Sequence, residues 1–183
     1  MRETILMKKN SGFTLMEVMV VIGIIGIMAA IAVPNYISWL PKHRMGGAAR
    51  DIYSAMQYAR IRAVKESRHV VIDFTTGIGV AGTYNVFIDD GSGGGTANDN
   101  MQNGTEPTIR NGQMPKGVTM FQAQFAGNSW FRFDSRGRPN GLGGGNVRIS
   151  NASANLFTEI NLRITGMPDI RISQDGGANY PDT

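Results

Sequence analysis

The sequence predicts an α+β chain in which one long N-terminal helix packs on a C-terminal all-β lobe. Three observations carry this expectation. Phe13 to Val33 is almost solidly apolar. Apolar residues then recur at helical spacing up to Ser67. Beyond Ser67 the hydrophobic period changes to two, with Gly, Asn and Asp clusters between the runs. A length of 183 residues suits one domain plus an appendage.

The first element is a membrane-spanning helix. Phe13 to Val33 is about 32 Å long as a helix, close to a hydrocarbon core of roughly 30 Å. Lys8 and Lys9 precede it, which keeps the N-terminus cytoplasmic and sends the remainder outward. Arg2, Lys8 and Lys9 against Glu3 place half of the net charge of +4 in this leader, so the lobe itself is only weakly basic. A secretory signal peptide is the competing reading, with Ala29-Ala30-Ile31-Ala32 as its cleavage site. The apolar run is too long for one, and Glu17 lies inside it. A carboxylate in that setting costs about 3 kcal/mol on insertion scales and calls for a partner. With the chain cut between Gly12 and Phe13, Glu17 lies in the first helical turn, where the macrodipole favours an anion. Copies packed side by side then pair each Glu17 with a neighbour's terminal amine, which removes two lone charges from lipid and sets an axial register.

Gly12-Phe13-Thr14-Leu15-Met16-Glu17, behind a short basic leader and ahead of Pro34, resembles the class III signal of type IV pilins and pseudopilins. The resemblance implies that a prepilin peptidase removes residues 1–12 and N-methylates Phe13. It implies that Glu17 and Thr14 serve subunit assembly. It also implies a single-pass protein of the bacterial inner membrane, its C-terminal domain periplasmic. Its partners are then other pilin subunits and an inner-membrane assembly platform that stacks them into a filament.

After the 13–34 segment, residues 35–68 read as an amphipathic helical continuation. Pro34 should kink or break the helix, and Pro41 with Gly46-Gly47 should weaken it further. Ile52, Met56, Ala59 and Ala63 form the stripe expected to meet a sheet. Residues 69–183 are the β-rich lobe. Strands are expected at 70–74, 84–88, 118–125, 130–133, 147–150, 157–164 and 170–173. The 24 glycines mark turns and not a repeat. The helical stretch from Ala48 to Val64, the strand ending at Val86-Phe87-Ile88-Asp89, and later Trp130-Phe131-Arg132-Phe133 with Gly137-Arg138 resemble the GspH/FimT-type minor pseudopilins. That resemblance implies two antiparallel sheets in the lobe.

Few residues offer chemistry. With no cysteine there is no disulfide, thiolate or cysteine–zinc site. His43 and His69 lack a nucleophile or carboxylate in a catalytic arrangement, and no phosphate-cradling motif is present. The expectation is no enzyme, no cofactor and no metal. The loop from Asp89 to Gly104 has three carboxylates; it reads as a flexible surface loop, with a cation site as the alternative. Arg132, Arg136, Arg138, Arg148, Arg163 and Arg171 fall in the C-terminal half near aromatic residues, a composition able to hold DNA. Some FimT-type proteins bind DNA through a Gly-Arg-x-Arg motif near the C-terminus. Here Gly137-Arg138-Pro139-Asn140 lacks the second arginine and lies early, so Arg136 and Arg138 are the low-ranked DNA candidates. A solvated sheet face is the plainer reading of the six arginines.

Overall fold

The computed structural model describes residues 12–77, 81–140 and 144–173. The expected leader, apart from Gly12, and the segment after Ser173 lie outside those residues. The chain divides into two units, one ending at Trp39 and one beginning at Leu40.

Helix α1 runs over Leu15–Glu66. Contrary to the expected break, it continues through Pro34, Pro41 and Gly46-Gly47. Each proline removes one amide donor, to the carbonyl of Ala30 or Ile37. The turns on either side keep their own bonds, so one missing donor does not end a helix of 52 residues. In the first unit every residue from Gly12 to Trp39 is exposed. The most apolar stretch of α1 has a mean hydropathy of 2.6, and none of its residues is buried within the chain.

In the second unit α1 is amphipathic. Met45, Ala48, Ala49, Ile52, Ala55, Met56, Ala59 and Ala63 are buried, a stripe at three- and four-residue spacing. It includes all four residues the sequence pattern marked. Its alanines let the sheets approach the helix backbone closely.

Among the described residues nine strands follow: β1 (Val70–Thr75), β2 (Thr83–Ile88), β3 (Thr108–Gln113), β4 (Thr119–Phe125), β5 (Trp130–Phe133), β6 (Pro139–Asn140), β7 (Gly145–Asn151), β8 (Leu156–Leu162) and β9 (Pro168–Ser173). They form two antiparallel sheets, ordered β3-β2-β1-β5-β6 and β4-β7-β8-β9. Seven strands lie where the period-two pattern put them; β3 and β6 were not anticipated. A register shift between Met120 and Gln122 interrupts β4, which explains its irregular alternation.

The core takes Val70, Ile72 and Phe74 of β1, Phe131 and Phe133 of β5, Val147 and Ile149 of β7, and Ile160 and Leu162 of β8, all packed with the α1 stripe. Phe74, Phe125 and Phe131 form an aromatic cluster, the closest pair of centroids being 4.5 Å apart. Val71 and Phe87 are equally buried but lie outside this core, on the opposite face of the five-stranded sheet. The loop between β2 and β3 lies on that side. Asn98 pairs with His69 and accepts from Arg132 through its carbonyl, and Gln102 accepts from Asn85.

That loop is a folded unit, which corrects the expectation of a flexible turn. Asp89, only 2% exposed, accepts the amides of Asn98 and Asn100. Glu106, 5% exposed, accepts those of Gly91 at 2.8 Å and Asn103 at 3.0 Å. Buried carboxylates bonded this way replace the ladder a loop lacks. Ser92 bonds Asp90 through both its hydroxyl and its amide and, with Arg68, holds the Asp90 carboxyl below the usual carboxylate range.

Candidate functional site

The N-terminal segment is built around the start of α1. Thr14 caps the helix, its Oγ1 accepting the Glu17 amide at 3.2 Å and its carbonyl the Val18 amide at 3.2 Å. Thr14-Leu15-Met16-Glu17 is therefore the first half of a capping box, a role the Thr-x-x-Glu spacing announces and the sequence reading left unused. Glu17 stands in the first turn, and among the described residues no donor bonds its carboxylate. Phe13 is 84% exposed just before the helix. A Cβ added to Gly12 meets no atom within 4 Å, so packing does not require a glycine there. Pro34 lies within the exposed helical run and breaks nothing. Phe13, Thr14 and Glu17 are thus brought together at one helix end, at the head of a strongly apolar, exposed run. Such a run needs lipid or other helices around it.

The six arginines do not gather into one patch. Arg148 bonds Glu159 at 2.8 Å, and both Arg163 and Arg171 pair with Asp169, so these three serve the outer face of the four-stranded sheet. Glu159 faces Arg148 on one side and Arg171 on the other in the strand register. Arg132 is bonded to the covering loop. Arg136 and Arg138 are exposed on the turn after β5, their amides accepted by Asp134 at 2.9 and 2.8 Å. Gly137 closes that turn with φ +71°.

Nor is the β2–β3 loop arranged as a cation site. Asp89, Asp90 and Asp99 each accept amides or side-chain donors of the loop itself. Among the described residues no three His, Cys, Asp or Glu side chains cluster as metal ligands.

The family model described as "Type II transport protein GspH" matches residues 48–176. The chain belongs to the GspH family. A second model, the prokaryotic N-terminal methylation motif, matches residues 7–33 of this GspH-family chain and covers the segment just described. Among curated proteins, a fimbrial protein of Pseudomonas aeruginosa is 39% identical over 69 residues, 38% of this chain and 44% of that one. The type IV major pilin protein PilA of Myxococcus xanthus is 36% identical over 73 residues, 40% of this chain and 32% of that one. The match thus spans less than half the length of each of these relatives. Among solved structures, the type IV minor pilin FimU of Pseudomonas aeruginosa superposes with a TM-score of 0.51 at 14% identity, over 78% of this chain and 96% of that one. The shared fold is the helix-on-two-sheets arrangement described above.

Proposed function

We propose that this GspH-family chain is a minor pilin or pseudopilin, a structural subunit of a type IV pilus or of a type II secretion pseudopilus. The prepilin peptidase cleaves after Gly12 and methylates Phe13. The subunit waits in the inner membrane through α1 and is stacked into a filament by the assembly platform. The chain is a substrate of that machinery and has no catalytic part in it.

The observation that carries this reading is the contrast between the two units. The second buries its own core. The first presents an apolar helix exposed on every side, with Glu17 in its opening turn unpartnered among the described residues. Cleavage after Gly12 creates an amine at Phe13 that is protonated near neutral pH. Among the described residues no donor bonds the Glu17 carboxylate, which leaves it available to a neighbour's amine. Pairing the two relieves about 3 kcal/mol of buried charge, a factor of about a hundred in favour of one axial register over its neighbours.

Glu17→Val tests this. The variant should be processed and inserted normally, yet be depleted by about a hundredfold from sheared filaments. Recovery at the wild-type level contradicts the pairing. Deletion of the gene, with complementation, assigns the machine. Loss of surface pili places the chain in a pilus, and intact pili with lost protein export place it in the secretion pseudopilus.

A further inference from the structure

Past Val71 and Phe87 the outer face of the five-stranded sheet is polar. Its register sets Asn111 of β3, Asn85 of β2, Asp73 of β1 and Trp130 of β5 in one row across four strands. Alternation puts Trp130 on this face, opposite the core residues Phe131 and Phe133. Thr75, Thr83 and Gln113 form the next row. Thr83, Asn85, Thr108, Asn111 and Gln113 line a cleft of about 500 Å³ here. A solvated sheet face usually mixes Lys, Arg, Glu and Asp, and an edge strand is usually guarded by charge. Here Asp73 is the only ionisable side chain in the two rows. The one charge of edge strand β3, Arg110, is turned to Asp51 of α1 instead. Trp130 is half-buried. Among the described residues no hydrogen bond engages its indole N–H or the side chains of Thr83, Asn111 and Gln113.

We propose that this face binds a neutral oligosaccharide, one sugar packed on Trp130 and the next ones held by Asp73, Asn85 and Asn111. A sugar ring presents C–H bonds on its faces and hydroxyls round its rim. The C–H bonds suit the electron-rich face of an indole. A carboxamide sets a donor beside an acceptor and so matches two adjacent hydroxyls, and a carboxylate accepts from both. Ser129 donates to Asp73 Oδ1 at 3.4 Å, which leaves Oδ2 open. Gln102 takes one amide hydrogen of Asn85 at 2.7 Å, which leaves the Asn85 carbonyl oxygen open. From Trp130 to Asn111 the row spans roughly 14 Å, the length of a short oligosaccharide. Asp73 disfavours an anionic ligand. The nearest cation on the face, Arg132, already bonds the Asn98 carbonyl. An apolar peptide would set its side chains against amides and hydroxyls, which loses their hydrogen bonds to water. None of these residues belongs to α1, and binding needs no filament.

The test applies the full chain, in a detergent without a sugar headgroup, to an array of neutral oligosaccharides and their sulfated counterparts. At least one neutral oligosaccharide should retain the chain, and its sulfated form should retain it more weakly. The chain has two tryptophans, so Trp39→Phe leaves Trp130 as the only indole. Its emission should shift as the retained oligosaccharide is added. Trp130→Ala should weaken binding by about tenfold and Asn111→Ala by about threefold. Asn111 is exposed on an edge strand, so its variant should melt as wild type does and serves where Trp130→Ala fails to fold. Retention of no neutral oligosaccharide, an unchanged Trp130 emission, equal binding of the sulfated form, or wild-type affinity in Asn111→Ala overturns the proposal. Depletion of Asn111→Ala from sheared filaments marks the face as a subunit contact and overturns it too. A chain that binds the oligosaccharide but never enters a filament overturns the filament reading alone.

Discussion

Asp51→Ala should loosen the lobe where α1 meets the five-stranded sheet. Asp51 Oδ2 accepts the Tyr84 hydroxyl at 2.7 Å, and Oδ1 accepts Arg110 Nη2 at 2.6 Å. Arg110 also donates to Ser54 Oγ at 2.9 Å. One carboxylate thus ties the helix to β2 and to the edge strand β3. Tyr84 is 2% exposed, so its hydroxyl has no water to replace a lost acceptor, a cost of about 1–3 kcal/mol. The ion pair adds less, about 0–1 kcal/mol, because its side chains are 30% and 41% exposed. A total of about 1–4 kcal/mol lowers the melting temperature of a lobe this size by roughly 3–12 °C. Asp51→Asn keeps an acceptor for Tyr84 and should lose less than half as much. Circular dichroism melts of the full chain in detergent read both variants. An Ala variant melting within a degree of wild type, or an Asn variant as damaged as Ala, refutes the reasoning.

The same cluster sets an alkaline limit. Burial, and then the bond to Asp51, push the Tyr84 hydroxyl from its ordinary value near 10 up to about 12. The folded pKa is raised, so the stabilisation is complete below about pH 10 and fades as the pH rises towards about 12. Wild type should lose melting temperature across that window more steeply than Tyr84→Phe, which has no hydroxyl to ionise. Parallel profiles would remove Tyr84 from the account.

Gly12→Ala should leave folding untouched, since its Cβ meets open space, yet keep the leader attached; intact-mass spectrometry reads the N-terminus, and a mature Phe13 terminus contradicts peptidase recognition at Gly12. Gly104→Ala should destabilise the β2–β3 loop by about 2–3 kcal/mol, because φ is +58° and the new Cβ falls 2.4 Å from the Ser92 carbonyl oxygen and 2.6 Å from the Gly95 nitrogen. Gly94→Ala, at φ +91° but with nothing within 4 Å, should cost only about 1 kcal/mol in the same urea titration, and equal losses would show that strain alone decides.

The strands that escaped the sequence pattern escaped it for a physical reason. β3 reads Thr-Ile-Arg-Asn-Gly-Gln, with one apolar residue and an Asn-Gly pair that imitates a hairpin turn. Gly112 is there because the Tyr84 ring lies across it, so close that a Cβ would stand 2.4 Å from Cε1. Only the partner strand reveals that need. The folded β2–β3 loop left a trace that went unread. Val70-Val71-Ile72 and Val86-Phe87-Ile88 are unbroken apolar runs, the mark of strands covered on both faces, and the cover is this loop. At the N-terminus the information is local. The expectation for Lys8, Lys9, Gly12, Phe13 and Glu17 comes from within a few residues, and the structure adds only the Thr14 cap, whose hydroxyl accepts the Glu17 amide. The two units therefore separate their roles. The lobe is held by contacts distant in sequence and is insensitive to the first dozen and a half residues. Gly12 and Glu17 are exposed residues outside the lobe's buried core, so their substitution should change where the subunit goes while leaving the melting of its lobe unaltered.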